Sequence, residues 1–217
     1  MTLGGYCQGG TISAMYAALF PRKSPRNLAL LATPTGFASE DLGLFGGWIL
    51  PWKYLDPDLV VGPSGNVPAD RVGRFIESAA RPPIGYANPW VNIVRGSFSD
   101  AFLAASEWVD DGVPFPGEAF RQWIQDFCQK NKLAKGELEL RGQRVDLSNI
   151  ECPVLNIAGS KDFICPLPQA ETTMGLIESQ DKEFLVLDAG HVGLIAGTVA
   201  ENELWPRVRD WLKSRWK

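Results

Sequence analysis

Short apolar runs alternate with amphipathic stretches along this chain, and the two kinds follow one another in a regular order. Asn27–Leu31 (Asn-Leu-Ala-Leu-Leu) and Cys152–Gly159 (Cys-Pro-Val-Leu-Asn-Ile-Ala-Gly) are continuous apolar runs of the length expected for strands buried on both faces. Met1–Tyr6 and Glu183–Leu187 read as two further short strands. Between the first pair, Ile12, Met15, Tyr16 and Leu19 fall at i, i+3, i+4 and i+7, which predicts a helix with that stripe buried and Pro21 as its stop. A second helix is predicted from Pro166 to about Ser179. A third closes the chain, with Leu204, Val208, Trp211 and Leu212 on one face. Strand, helix, strand in this order predicts right-handed parallel crossovers.

From Ser39 to Asp146 the pattern changes. Gly and Pro recur, Trp48, Trp52, Trp90, Trp108 and Trp123 are scattered through it, and Phe120, Trp123, Ile124 and Phe127 make one helical stripe. The segment reads as a mostly helical insertion over residues 39–146, between core segments 1–38 and 147–217 of an α/β fold. Its aromatics read first as packing, and Cys128 as a small core residue.

Composition narrows the functional classes. The chain has 217 residues, 45% apolar, with a net charge of -4. That is enough for one packed domain, and the acidic balance speaks against a nucleic-acid partner. The sequence shows neither a signal peptide nor a run long enough to span a bilayer. The four cysteines, Cys7, Cys128, Cys152 and Cys165, lack C-x-x-C spacing, so zinc is disfavoured and reduced thiols are expected. His191 is the single histidine, so any chemistry that needs imidazole must use it.

The chemistry concentrates at strand ends. Gly5-Tyr6-Cys7-Gln8-Gly9 places a cysteine where the Gly-x-Ser-x-Gly elbow has its serine. The elbow is a tight strand-to-helix turn in which side chains at Gly5 or Gly9 would crowd the helix. It also sets the sulfur at a helix N-terminus, where an anion is favoured. Asp162 and His191 each follow a predicted strand. The order nucleophile, acid, histidine is that of the α/β-hydrolases. Imidazole can take the thiol proton, and a carboxylate can orient the ring or take a second proton. Each residue has a plainer alternative: Cys7 a buried thiol, Asp162 a helix cap, His191 a satisfied polar group in a turn. Their joint placement at one rim of a sheet favours the triad.

On these motifs the chain resembles the polyhydroxyalkanoate synthases, most closely the class III type. The matching stretches are Gly5–Gly10, Glu118–Trp123, Asn131-Lys132-Leu133, Val145-Asp146-Leu147, Cys152–Ile157 leading to Lys161-Asp162, Gly190-His191-Val192-Gly193, and Trp211-Leu212. The resemblance implies a partial α/β-hydrolase fold, from the elbow strand onward, with residues 39–146 as a cap. It implies that Cys7 carries the growing polyester as a thioester and that His191 activates Cys7. Asp162 would act as base toward the 3-hydroxyl of an incoming (R)-3-hydroxyacyl-CoA, or support that step, and the backbone N–H of Gln8 would form part of the oxyanion hole. It further implies no metal or prosthetic group, an accessory E-type subunit, and a place in the cytoplasm at polyester granule surfaces; homo-oligomers are compatible with it. Only Met1–Tyr6 precede Cys7 where the family has several strands, so a fragment is expected, missing a second oxyanion donor and exposing an apolar sheet edge. Phe163 stands where the family often has histidine. Two other readings stay open: a cysteine-dependent hydrolase of esters or thioesters, and an inactive fragment that binds granules or a subunit.

Overall fold

The computed structural model describes residues 1–38, 53–73, 107 and 111–215. Its centre is a parallel sheet of four strands: β1 (Thr2–Tyr6), β2 (Asn27–Leu31), β3 (Val154–Gly159) and β4 (Lys182–Leu187), ordered as they occur in the chain. The register runs Thr2 beside Asn27, Leu28 beside Val154, and Val154 beside Lys182. Every residue of β3 is buried, which explains its unbroken apolar run, whereas β4 is largely open to solvent along one side.

Helix α1 (Gln8–Leu19) joins β1 to β2, and Phe20 with Pro21 ends it as the sequence predicts. Its buried face differs from the expected stripe. Ile12 is 57% and Tyr16 37% exposed, while Gly10, Thr11, Ser13, Ala14, Met15, Ala17 and Ala18 are buried. The helix lies so close to the sheet that small side chains are needed beneath it. Polar members of this face are satisfied locally: the Thr11 hydroxyl donates to Pro34 O at 2.7 Å, and that of Ser13 to Gly9 O at 2.8 Å. Steric fit has outweighed hydrophobicity in choosing the inner face.

Further along, α2 (Gly117–Gln122) runs into a π-helical turn over Trp123–Gln129. Next come α3 (Leu167–Leu176) between β3 and β4, and α4 (His191–Ile195). A π-helical turn at Ala200–Leu204 leads into α5 (Trp205–Ser214). Two clusters flank the sheet. One gathers Ala14, Ala17, Leu28, Leu30 and Val154 with Ile124, Phe127, Leu133, Leu138 and Val145. The other packs Leu155 and Ile157 of β3 with Leu187, Leu194, Leu204 and Trp211. Strand alternation accounts for the division, since successive β3 side chains point to opposite faces.

None of the described residues between β2 and β3 joins the main sheet. They form two-residue antiparallel ladders, Asn66–Val67 with Phe115–Pro116 and Glu139–Leu140 with Gln143–Arg144. Yet Ile124 through Val145 pack into the same core as α1 and β2. Cys128 lies there, and burial pushes its thiol up to about 12. Trp123 stacks on Phe127 at 4.7 Å and meets Phe37 edge-on at 5.7 Å. Trp48, Trp52, Trp90 and Trp108 fall outside the described residues.

Candidate active site

The turn between β1 and α1 is built around one strained residue. Cys7 has φ 53° and ψ -128°, a region that non-glycine residues rarely occupy. Such a conformation costs about 1–3 kcal/mol and persists where its surroundings hold it. The Cys7 N–H donates to Leu31 O at 2.9 Å, and its carbonyl accepts from Gly10 N and Thr11 N at 2.9 and 3.3 Å. A Cβ at Gly5 would lie 2.4 Å from Gly9 O and 2.5 Å from Gly10 Cα, as the tight turn predicts. Gly9 departs from expectation: among the described residues nothing lies within 4 Å of a Cβ placed there. Gly10 is the second obligatory glycine instead, because its Cβ would fall 1.8 Å from Thr33 Oγ1. Gly9 points outward, and the next residue of the helix faces the chain leaving β2.

Asp162 comes from the loop after β3 and His191 opens α4 after β4, and the segments that leave the two strands are stitched together. Ser160 N donates to Leu187 O, Lys161 N to Ala189 O, and the Ser160 hydroxyl and Lys161 ammonium both reach Asp188. Asp162 is buried, and Oδ1 accepts from the N–H groups of Ile164 and Cys165 at 2.9 and 2.8 Å. Its other oxygen, Oδ2, lies 2.7 Å from His191 Nδ1. One carboxylate thus ties down the loop after β3 with one oxygen and meets the imidazole with the other; it does not cap α3, whose N-cap is Pro166.

Cys7 lies close enough to His191 to act on the charge state of its ring. With Nδ1 committed to Asp162, Nε2 is the ring nitrogen left for the sulfur. Burial opposes the charged imidazole, but hydrogen bonds and charge from Asp162 and Cys7 outweigh it and raise the His191 pKa to about 9. The structure therefore brings Cys7, Asp162 and His191 into one chain of contacts. Gln8 opens α1, so its N–H has no acceptor within the helix. Cys165 is fully buried, and its thiol is pushed well up by burial and by the charges of Asp162 and Cys7, which makes it a poor nucleophile.

One member of the site was not found from sequence. The Tyr6 hydroxyl donates to His191 O at 3.1 Å, and the two rings lie 4.8 Å apart. A tyrosine ahead of the nucleophile carries no pattern that links it to a residue 185 positions away. Among the described residues no group of three or more His, Cys, Asp and Glu side chains is arranged to hold a metal, and no helix is long and apolar enough to cross a membrane.

The family model described as PHB de-polymerase C-terminus matches residues 90–215. The poly(3-hydroxyalkanoate) polymerase subunit PhaC of Haloferax mediterranei is 36% identical over 99% of this chain and 44% of its own length. That of Allochromatium vinosum is 36% identical over 99% of this chain and 60% of its own. The chain thus spans about half the length of these curated relatives. Among solved structures, the enol-lactonase of Burkholderia xenovorans LB400 superimposes with a TM-score of 0.54 at 16% identity, covering 98% of this chain and 65% of the other. A thermophilic esterase from Thermogutta terrifontis gives 0.53 at 15%, covering 100% and 66%. At such identity the likeness concerns architecture alone: the chain has a partial α/β-hydrolase fold.

Proposed function

The chain belongs to the PHB de-polymerase C-terminus family, and from its likeness to the PhaC polymerase subunits we propose that it carries the reaction centre of a polyhydroxyalkanoate synthase. The reaction is acyl transfer from (R)-3-hydroxyacyl-CoA to a growing polyester, with release of CoA. The observation that carries this reading is His191, held by Asp162 at 2.7 Å and close enough to the strained elbow cysteine to feel its charge.

In this reading His191 Nε2 takes the Cys7 proton, and the thiolate adds to the thioester carbonyl of the substrate. The resulting oxyanion is met by the N–H of Gln8. Its collapse breaks the C–S bond to CoA, and the imidazolium returns the proton to the departing sulfur. A 3-hydroxyl then attacks the Cys7 thioester, giving its proton to His191, and an ester bond forms as the thiolate is released. Cysteine suits a transferase because a thiolate leaves more readily than an alkoxide, so the bound acyl group stays transferable. Asp162 orients the imidazole and stabilises its charged form. With both its oxygens engaged and the side chain buried, it fits this supporting role better than direct contact with the incoming hydroxyl.

The name of the family, a de-polymerase, favours a second reading in which water replaces the hydroxyl acceptor. Products separate the two. Incubation with 3-hydroxybutyryl-CoA should yield acylated Cys7, free CoA and oligomer bound to protein. Free hydroxy acid as the sole acyl product would support hydrolysis. No CoA release beyond that of a Cys7→Ala control would remove both readings and leave a binding role. The proposal extends to the E-type accessory subunit, to assembly with further copies, and to a cytoplasmic location at granule surfaces. Co-purification and fractionation with polyester granules test these.

A further inference from the structure

Tyr6 ends β1, and Cys7 follows it directly. Its hydroxyl donates to the backbone carbonyl of His191 at 3.1 Å, while its ring lies 4.8 Å from the imidazole, tilted by 38°. One side chain therefore grips the histidine at both main chain and ring, from the strand that presents the sulfur. Asp162 holds the same imidazole from the loop after β3.

The element carrying His191 needs such support. Helix α4 has five residues, has Gly190 as an N-cap without a side-chain hydrogen bond, and is followed two residues past its end by Gly197 with φ 102°. A single turn is not stable alone. Of its side chains only Leu194 is fully buried, while Val192 and Gly193 are exposed. We propose that Tyr6 is a positioning residue that ties the first turn of α4 to the end of β1, keeping the imidazole in register with Cys7 through acyl transfer. The consequence for turnover rests on the function proposed above; the tie does not.

The hydroxyl is suited to the task. Burial above all, with unfavourable electrostatic interactions from the acidic groups beside it, raises the Tyr6 pKa far above its ordinary value. Tyr6 therefore stays a neutral donor wherever the enzyme works. Its proton is directed to a carbonyl oxygen, which makes it a brace and not an acid or base.

The single histidine makes the test direct, because one imidazole resonance reports the site. In Tyr6→Phe the ring remains and the hydroxyl is lost. The His191 titration midpoint should fall from about 9 toward the free-imidazole value. Alkylation of Cys7 at neutral pH should slow about fivefold, the worth of one neutral hydrogen bond. Where CoA release is measurable, kcat should drop by a similar factor with KM unchanged. Tyr6→Leu, which also removes the ring, should show larger changes of the same kind. A Tyr6→Phe protein with wild-type titration and alkylation profiles overturns the proposal. Should the variants fail to fold, nuclear Overhauser contacts between the Tyr6 and His191 rings in the wild type decide it, and their absence overturns it. A wild type that releases no CoA yet shows these titration effects would defeat the proposed activity and leave the brace standing.

Discussion

Two influences on His191 pull in opposite directions, and their balance sets how the site responds to pH. Burial favours the neutral ring, while Asp162 and Cys7 favour the charged one and prevail, giving a pKa of about 9. The folded value thus lies above the unfolded reference of 6.5. The stabilisation is fully present below about pH 6.5 and is lost as pH rises through about 9, with a ceiling of about 3 kcal/mol. Wild type should therefore lose melting temperature between pH 7 and 10 more steeply than His191→Gln, as followed by calorimetry. Identical slopes would mean that the imidazole gains no such partner. Asp162→Asn tests the orienting carboxylate. It keeps the size of the side chain but removes the charge that holds Nδ1–H, and turnover should fall roughly 10²–10⁴-fold, the range of triad disruptions. Among the thiols, Cys7 should be alkylated first in the folded protein, because Cys128 is buried with its thiol pushed up to about 12. Preferential labelling of Cys128, read by peptide mass, would place the reactive sulfur elsewhere.

Elements show where a sequence speaks clearly and where it misleads. The strands were legible because β2 and β3 are buried on both faces, which leaves little choice but apolar residues. Cys7, Asp162 and His191 were legible as candidates because each follows a strand of the sheet, β1, β3 and β4 in turn. The inner face of α1 was not, because hydrophobicity points to Ile12 and Tyr16 while the fold selects Gly10, Ala14 and Ala17 for their size. Gly9 was mistaken for Gly10 for a related reason: the motif marks which glycines recur, and only the helix phase shows which one meets Thr33. The contact of Tyr6 with His191 has no local signature at all. These points make α1 a direct test. Ile12→Ser should change stability by no more than about 0.5 kcal/mol, the usual span for exposed positions. Ala17→Leu should cost about 1–3 kcal/mol through overpacking. Denaturant unfolding of both variants checks this, and the opposite ranking would restore the amphipathic stripe as the buried face.

Across the whole molecule, the two sides of the sheet are finished differently. Beyond β4 the chain returns through α4 and α5 to cover one face, but β1 pairs only with β2 among the described residues. Residues of a parallel strand alternate in the side toward which their main-chain groups point. Met1 O and Cys7 N are directed to the β2 side, so Thr2, Gly4 and Tyr6 present theirs to the open edge. Ile12, Tyr16 and Phe20 lie exposed at four-residue spacing on the adjoining helix, with the rings of Tyr16 and Phe20 5.1 Å apart. An unpaired strand next to an apolar stripe is a template for association. The 217-residue chain should therefore associate as its concentration rises, visible by light scattering after gel filtration. Ile12→Lys with Tyr16→Lys should reduce this by placing charge on the stripe. Gly4→Lys should act at the edge itself, where a Cβ has room, its nearest neighbour being Ala29 O at 3.9 Å. A wild-type chain that stays monomeric at high concentration would show that this edge is protected, and the charged variants would then change nothing.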